Sequence, residues 1–269
     1  LIGGLSPWIF HLTNLLLHAG NAVLVMWILM KLTKNRIAAI AGGLLFAVHP
    51  LNTEAVAWLA GRKDLLSTFF FLAAWIGYVK CRGMRATHRV APTAYWVSVI
   101  LFGLALLSKV MAVTLPAVLL MTDILIEKRK WEWKMLIDKI PYALLSGIFL
   151  AIAVFGKERI LSNNSMWETA LMAAKSTTFY LWKFILPIRL GVFYPYRGMI
   201  SITEAAIIIP LLLILTLLTL VAIFFARRRR TLGPSIVFGA GFFLITLAPT
   251  FINFHKGGEM YFASDRYPY

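Results

Sequence analysis

Eight runs of apolar residues separated by short polar stretches dominate the chain, at residues 8–30, 37–48, 65–79, 94–107, 110–126, 140–155, 205–226 and 234–251. A helix needs about 20 predominantly apolar residues to cross roughly 30 Å of hydrocarbon, and the first and seventh runs reach that length. The pattern predicts an all-α fold: a multi-pass integral membrane helix bundle of about eight spans in one domain, residues 1–269. Residues 37–48 and 94–107 number only 12 and 14. Such short runs cannot stand alone in lipid, so they end in a thinned, protein-lined region or their helix continues past the apolar run. A polar stretch, residues 49–64, follows the first of them. Polar backbone at membrane depth is tolerated where it lines a cavity, which directs attention to that end of the bundle.

A ninth stretch, residues 167–186, breaks the alternation of in and out. Lys175 and Lys183 interrupt its apolar pattern, and it is expected to be an interfacial helix with its amines in water.

Composition agrees with this reading. The chain is 60% hydrophobic and only 14% charged, against about 25% charged in an ordinary soluble domain, and its mean hydropathy is +0.80. A soluble globular fold is excluded. The single cysteine, Cys81, rules out an internal disulfide framework. The formal charge of +16 would suggest nucleic acid in a soluble protein, but in a membrane protein it is a topology signal and no nucleic-acid partner is expected. Sixteen of the 27 basic residues lie in four short loops, 31–36, 80–94, 127–139 and 227–230. Basic short loops stay cytoplasmic, which places both chain ends on the non-cytoplasmic face. Most acids, Glu54 and Asp64 among them, fall on the opposite side from those loops, while Asp123 sits inside a run near its inner end. No internal repeat, low-complexity tract or signal peptide is visible. The chain begins at Leu1 and enters its first run at once, so it is expected to be an internal fragment of a longer protein.

Four polar residues, His11, Asn14, His18 and Asn21, recur at helical spacing on one side of the first run. The plain reading is interhelical hydrogen bonding; the alternative is a cavity lining. A metal site would need a further ligand such as His49, because His11 and His18 lie two turns apart. In the stretch 49–64, Pro50 stops the preceding helix, Asn52 or Thr53 can cap a short one, Gly61 can end it, and Asp64 can cap the next. Its Glu54, Arg62 and Lys63 either anchor an interface or line a cavity in which the two cations hold an anionic headgroup. Lys109 lies between two runs at the same end, where a lysine snorkels or binds an anion. Asp265, Arg266 and Tyr267 form a third cluster with Glu259 and Lys256, and a surface ion pair would explain them equally well. Residues 163–165 fit a glycosylation acceptor pattern.

Several of these segments together resemble a known family. FHLTNLLLHA at 10–19, HPLNTEAV at 49–56 with GRKDLL at 61–66, LSK at 107–109, YLWKFILPIRL at 180–190 with Tyr194, APTF at 248–251 and ASDRY at 263–267 are similar, in order and at fitting distances, to the membrane part of the transmembrane-and-tetratricopeptide-repeat proteins. That family is similar in turn to the integral-membrane glycosyltransferases of the C superfamily. These take a sugar from a polyprenyl-phosphate donor at the non-cytoplasmic face and transfer it to protein or lipid hydroxyls, with mannose among the candidate sugars in O-mannosylation. The resemblance implies a glycosyltransferase C-like fold and assigns contact with the lipid phosphate to Arg62, Lys63, Lys109 and Arg266. It makes Glu54 a secondary candidate for catalysis, and His11, Asn14, His18, His49, Asp265 and Tyr267 lining of the same cavity. It also implies that a first span and the loop with the acidic catalytic base precede Leu1, and that helical repeats follow Tyr269, so that residues 1–269 alone lack the base. No cofactor is expected beyond the donor, and a divalent metal is left open. The partners implied are a lipid bilayer, the polyprenyl-phosphate sugar and a protein or lipid acceptor. The bacterial inner membrane is the expected location, with the endoplasmic reticulum as the alternative. Two other function classes fit the residues: a non-catalytic membrane anchor for the repeats, and a lipid or solute transporter.

Overall fold

The computed structural model describes residues 7–86, 92–156, 165–227, 233–252, 255–256, 259–264 and 269. Each of the eight apolar runs is helical. Helix α1, Pro7–Thr33, starts on a proline whose missing N–H has no helical partner to lose at that position. It ends where Lys34 adopts a left-handed φ of 55°, and its N–H closes the last turn on the Met30 carbonyl at 3.0 Å. The next residue caps α2, Arg36–Val48: Asn35 Oδ1 accepts from the Ile37 and Ala38 N–H groups at 2.9 and 3.1 Å. A two-residue turn thus folds α2 back on α1. The contact is close enough that a side chain at Gly43 would meet Met26 Cβ at 2.9 Å.

Pro50 ends α2, and the chain descends through a 3-10 turn at Pro50–Asn52, helix α3 at Thr53–Ala57 and a second 3-10 turn at Leu59–Gly61. Gly61 lies so near the Ala55 carbonyl that any β-carbon there would collide with it. The capping expected here is different in detail. Asn52 makes no cap bond and gives its amide to the Phe46 carbonyl at 2.6 Å, while helix α4, Arg62–Ala86, begins two residues before Asp64. Asp64 is therefore not its cap.

Helix α5, Pro92–Ser108, packs tightly along α4. Ser98 donates to the Ala74 carbonyl at 2.5 Å and accepts from Tyr142 at 2.8 Å. The run 110–126 is broken into a 3-10 turn at Val110–Thr114, helix α6 at Leu115–Met121 and a π-turn at Thr122–Ile126. After α7, Trp133–Ile137, and α8, Ile140–Phe155, helix α9 occupies Met166–Ile185 under a reciprocal cap between Ser165 and Glu168. Helices α10, Ala205–Arg227, and α11, Gly233–Leu247, complete the helical part. The core gathers Phe102, Leu106, Leu115, Leu119 and Tyr142 around α4, and Phe238 and Phe242 of α11 each stack on Trp75 at 5.6 Å.

Two features depart from the expectation. The fold is not wholly helical, because β1 (Tyr194–Pro195), β2 (His255–Lys256) and β3 (Glu259–Ala263) form a small antiparallel sheet in the order β1-β3-β2. The amines of α9 are also not left to water alone, since both bind carbonyls. Lys183 is buried, and its amine binds the Ile188 and Arg189 carbonyls. Lys175 donates to the Ala206 carbonyl at 3.0 Å, between the rings of Tyr196 and Phe262. The second contact follows from Pro210, four residues on in α10: a proline supplies no N–H to the carbonyl one turn back, and Lys175 fills that vacancy.

Among the described residues, three helices are long and apolar enough to cross a membrane, Pro7–Thr33, Leu59–Arg82 and Pro234–Phe251, and five shorter apolar helices accompany them. Helix α10 leaves Ile209, Leu212, Leu213, Leu215 and Leu220 more than half exposed. An apolar outer surface of this kind is suited to lipid rather than water.

Candidate functional site at the start of helix α4

Helix α1 turns one polar edge towards α2, α3 and the start of α4. Asn14, His18 and Asn21 are buried there, whereas His11 of the same expected stripe is exposed. Asn14 donates to the Val56 and Trp58 carbonyls at 3.2 and 3.1 Å, holding the end of α3 and the residue that follows it against α1. Its Oδ1 accepts from Arg62 Nε at 3.4 Å. The guanidinium also donates to Thr13 Oγ1 and, at 3.4 Å, to the Phe10 carbonyl, and it lies over the Phe10 ring at 5.1 Å. Arg62 is thus spread across the first turns of α1 and only part of it meets solvent. Lys63, next to it, is exposed, and Glu54 is half-buried on α3.

Two residues after Arg62, Asp64 is 1% exposed and forms an ion pair of 2.6 Å with Lys109, which is 21% exposed. Lys109 sits in the extended residue between α5 and the 3-10 turn, so the pair ties the starts of two hairpins together. Asp64 Oδ2 has no hydrogen-bond partner among the described residues. Ser67, one turn further along α4, donates to the Ala105 carbonyl at 3.1 Å.

Tyr269 closes the network. Its hydroxyl accepts from Asn21 Nδ2 at 2.8 Å and meets His18 Nδ1 at 2.9 Å. His18 Nε2 faces the Ala47 carbonyl at 3.0 Å. A carbonyl only accepts, so Nε2 carries the proton, Nδ1 accepts, and the phenol donates to it. The chain Asn21, Tyr269, His18 and Ala47 is therefore consistent in every donor and acceptor. Burial pushes the Tyr269 phenol above its ordinary pKa and the nearby Asp64 carboxylate adds to the rise, while the Asn21 bond opposes it.

His49 joins a different neighbour. Its Nδ1 accepts from the Leu51 N–H at 3.2 Å, so Nε2 donates to the Phe184 carbonyl at 3.0 Å, and its ring stacks on Phe184 at 5.0 Å. It docks the end of α9 and stands apart from the Arg62 group. Asp265, Arg266 and Tyr267 lie outside the described residues. The structure thus brings Asn14, His18, Arg62 and Lys109 to one end of the bundle and leaves His11 and Lys63 facing outward. Sequence reasoning missed Tyr269, for which no pattern exists, and read Asp64 as a cap. The signal for Asp64 was its position: a carboxylate at the edge of an apolar run calls for a cationic partner.

A second ionic group lies at the far end of α4. Asp123 is wholly buried in the π-turn; its Oδ2 accepts from Tyr78 at 2.8 Å and Arg129 at 2.7 Å and is paired with Lys139. Asp138 pairs with Arg82 at 2.8 Å. Desolvation lowers the Lys139 pKa against the opposing pull of Asp123. The run of residues from Phe69 to Ala74, between the two groups, carries no ionisable side chain.

No family model matches the chain, and no solved structure matches it. Curated relatives do. Human protein O-mannosyl-transferase TMTC4 is 36% identical over 143 residues, 47% of this chain and 19% of that protein. Mouse protein O-mannosyl-transferase TMTC2 is 32% identical over 176 residues, 65% of this chain and 20% of the relative. Drosophila melanogaster protein O-mannosyl-transferase Tmtc1 is 45% identical over 78 residues, 29% and 9% respectively. Each of these matches spans a fifth or less of the relative's own length. They bear out the kinship with the transmembrane-and-tetratricopeptide-repeat family carried by the motifs.

Proposed function

From its kinship with the TMTC protein O-mannosyl-transferases, we propose that the chain is the membrane part of a glycosyltransferase that moves a sugar, mannose by analogy with those relatives, from a polyprenyl-phosphate donor to a protein hydroxyl at the non-cytoplasmic face. The eight apolar helices are its spans, in a glycosyltransferase C-like arrangement. The membrane is one that displays such donors, the bacterial inner membrane or the endoplasmic reticulum. The observation that carries the site assignment is the gathering of Arg62 and the Lys109–Asp64 pair at one end of an otherwise apolar bundle. A leaving lipid phosphate develops negative charge at membrane depth, and fixed cations there stabilise it without reorganising. Arg62, braced by α1, and Lys109, held by Asp64, are placed for that role; exposed Lys63 adds to it, and Arg266 is assigned to it by the family resemblance. Glu54 positions the acceptor or the sugar. The general base, which must lie within hydrogen-bond reach of the acceptor hydroxyl, belongs to sequence outside residues 1–269. The apolar middle of α4 disfavours a transporter, which needs a polar path between the two ends.

The test uses the full-length protein in proteoliposomes with polyprenyl-phosphate mannose and a serine- and threonine-rich acceptor protein. Removing one charge-stabilising donor lowers turnover about 100- to 1,000-fold. Arg62→Ala and Arg266→Ala are each expected to lose transfer by that factor while inserting normally. Wild-type rates in both variants would overturn the phosphate-site assignment, and absence of transfer by the wild-type protein from any polyprenyl-phosphate sugar would overturn the reaction.

A further inference from the structure

The buried ionic group around Asp123 holds up a surface that the proposed transfer reaction does not use. Beyond the π-turn the chain reverses at Lys128, whose φ is 49°, and the Arg129 N–H bonds the Asp123 carbonyl at 3.0 Å. The Arg129 side chain returns to the Asp123 carboxylate, and Lys139 reaches the same carboxylate from the other end of the segment. Met135, wholly buried, pins α7 from below. The segment is thereby clamped at its base and its middle. What it presents outward is Trp131 at 64% exposure and Trp133 at 79%, together with exposed Lys128, Lys130 and Lys134, none of which forms an ion pair with a described residue.

Further cations share this end. Lys31 and Lys80 both lie over the Trp27 ring, at 5.6 and 5.4 Å, and two residues past Lys80, Arg82 pairs with Asp138 beside α7. The loop after α1 adds exposed Lys34 and Arg36. Against these stand the exposed carboxylates Glu127 and Glu132. The surface combines a clear positive excess with two rigidly presented indoles, and it borders apolar helices. Indoles sit at the level of lipid headgroups, and clustered lysines beside membrane helices attract anionic ones.

We propose that residues 127–134 form a docking site for anionic phospholipid headgroups, with Trp131 and Trp133 seated among the headgroups and Lys128, Lys130 and Lys134 contacting their phosphates. The site is independent of the transfer reaction and lies at the opposite end of α4 from Arg62. Its preorganisation by Asp123 and Asp138 distinguishes it from a flexible basic loop: the ordering of the segment precedes lipid contact, so binding energy is not consumed in it.

The experiment places the full-length protein in phosphatidylcholine nanodiscs containing a small fraction of lipid with brominated acyl chains, either phosphatidylglycerol or phosphatidylcholine. Tryptophan quenching is read as the difference between the wild type and the Trp131→Phe/Trp133→Phe variant. Brominated phosphatidylglycerol is expected to quench this pair at a much lower mole fraction than brominated phosphatidylcholine. Lys128→Gln alone should weaken the preference about fivefold, and the Lys128→Gln/Lys130→Gln/Lys134→Gln variant on the order of a hundredfold, the contribution typical of lysines near an anionic surface. The triple Lys→Arg variant should keep it, and 1 M salt, with a Debye length of about 3 Å, should abolish it. Equal quenching by the two lipids would overturn the proposal. So would no quenching by either, the result for indoles that face water or a partner protein instead.

Discussion

The Asp64–Lys109 pair makes an asymmetric prediction about stability. Asp64 is 1% exposed and Lys109 21%, so the two partners do not lose the same thing when the other is removed. Lys109→Met strands a carboxylate in a dry environment with no second cation among the described residues within ion-pair reach. Breaking a buried pair in this way costs about 3–5 kcal/mol, and the partial exposure of Lys109 puts the expected value near the lower end, at about 3 kcal/mol. Asp64→Leu leaves an ammonium that swings to solvent on its flexible stem, with an expected loss of about 1 kcal/mol. Asp64→Leu/Lys109→Met replaces the pair with apolar groups of similar volume, which is often neutral or stabilising, so the double variant should be more stable than Lys109→Met alone. The assay is reversible denaturation in detergent micelles, followed by tryptophan fluorescence, on all four proteins of the cycle. Equal losses in the two single variants, or a loss below about 1 kcal/mol in Lys109→Met, would refute the reasoning. Transfer activity of the double variant is a separate readout: a folded but inactive protein assigns the lysine to the donor phosphate, as the proposed function requires.

Two further predictions concern elements away from the site. Lys175→Met deprives the Ala206 carbonyl of its donor and should destabilise the protein by about 0.5–1.5 kcal/mol, the net worth of a typical hydrogen bond, but Pro210→Ala restores a backbone N–H to that carbonyl and should make Lys175→Met nearly silent; additive losses in the double variant would sink the explanation. Asn35→Ala removes the side-chain cap of α2 and should lower stability by about 1 kcal/mol, which chemical denaturation of the two proteins measures directly, whereas Asn35→Ser should be close to neutral.

The eight apolar runs were legible because a long apolar run must bond its backbone internally whatever its neighbours, and each run is helical where it was expected; three of these helices, among the described residues, are long and apolar enough to cross a membrane. The hinge at residues 49–61 was legible from Pro50 and Gly61, whose backbone restrictions act locally. Arg62 and Lys109 stood out as cations bordering apolar sequence, and the buried edge of α1 followed from helical spacing at Asn14, His18 and Asn21. Local pattern overreached at His11, which continues the spacing but lies beyond the neighbouring helices and faces outward.

Partnership could not be read in the same way, because a contact across 45 or 251 residues leaves no periodic trace. Asp64 looked like a cap until α5 brought Lys109 against it, and Tyr269 had no role until its hydroxyl lay between His18 and Asn21. Lys175 and Lys183 carried the charge pattern of a water-facing helix edge, yet packing of α10 and the small sheet turned both towards carbonyls. Asp123 was visible as a lone acid in an apolar run, but its three donors come from separate helices and loops. The sequence by itself determined which segments must leave water and which residues are too polar to do so alone. Only the tertiary structure decided how those residues satisfy one another, since a buried charge selects its partner by distance in space and by the absence of competing solvent.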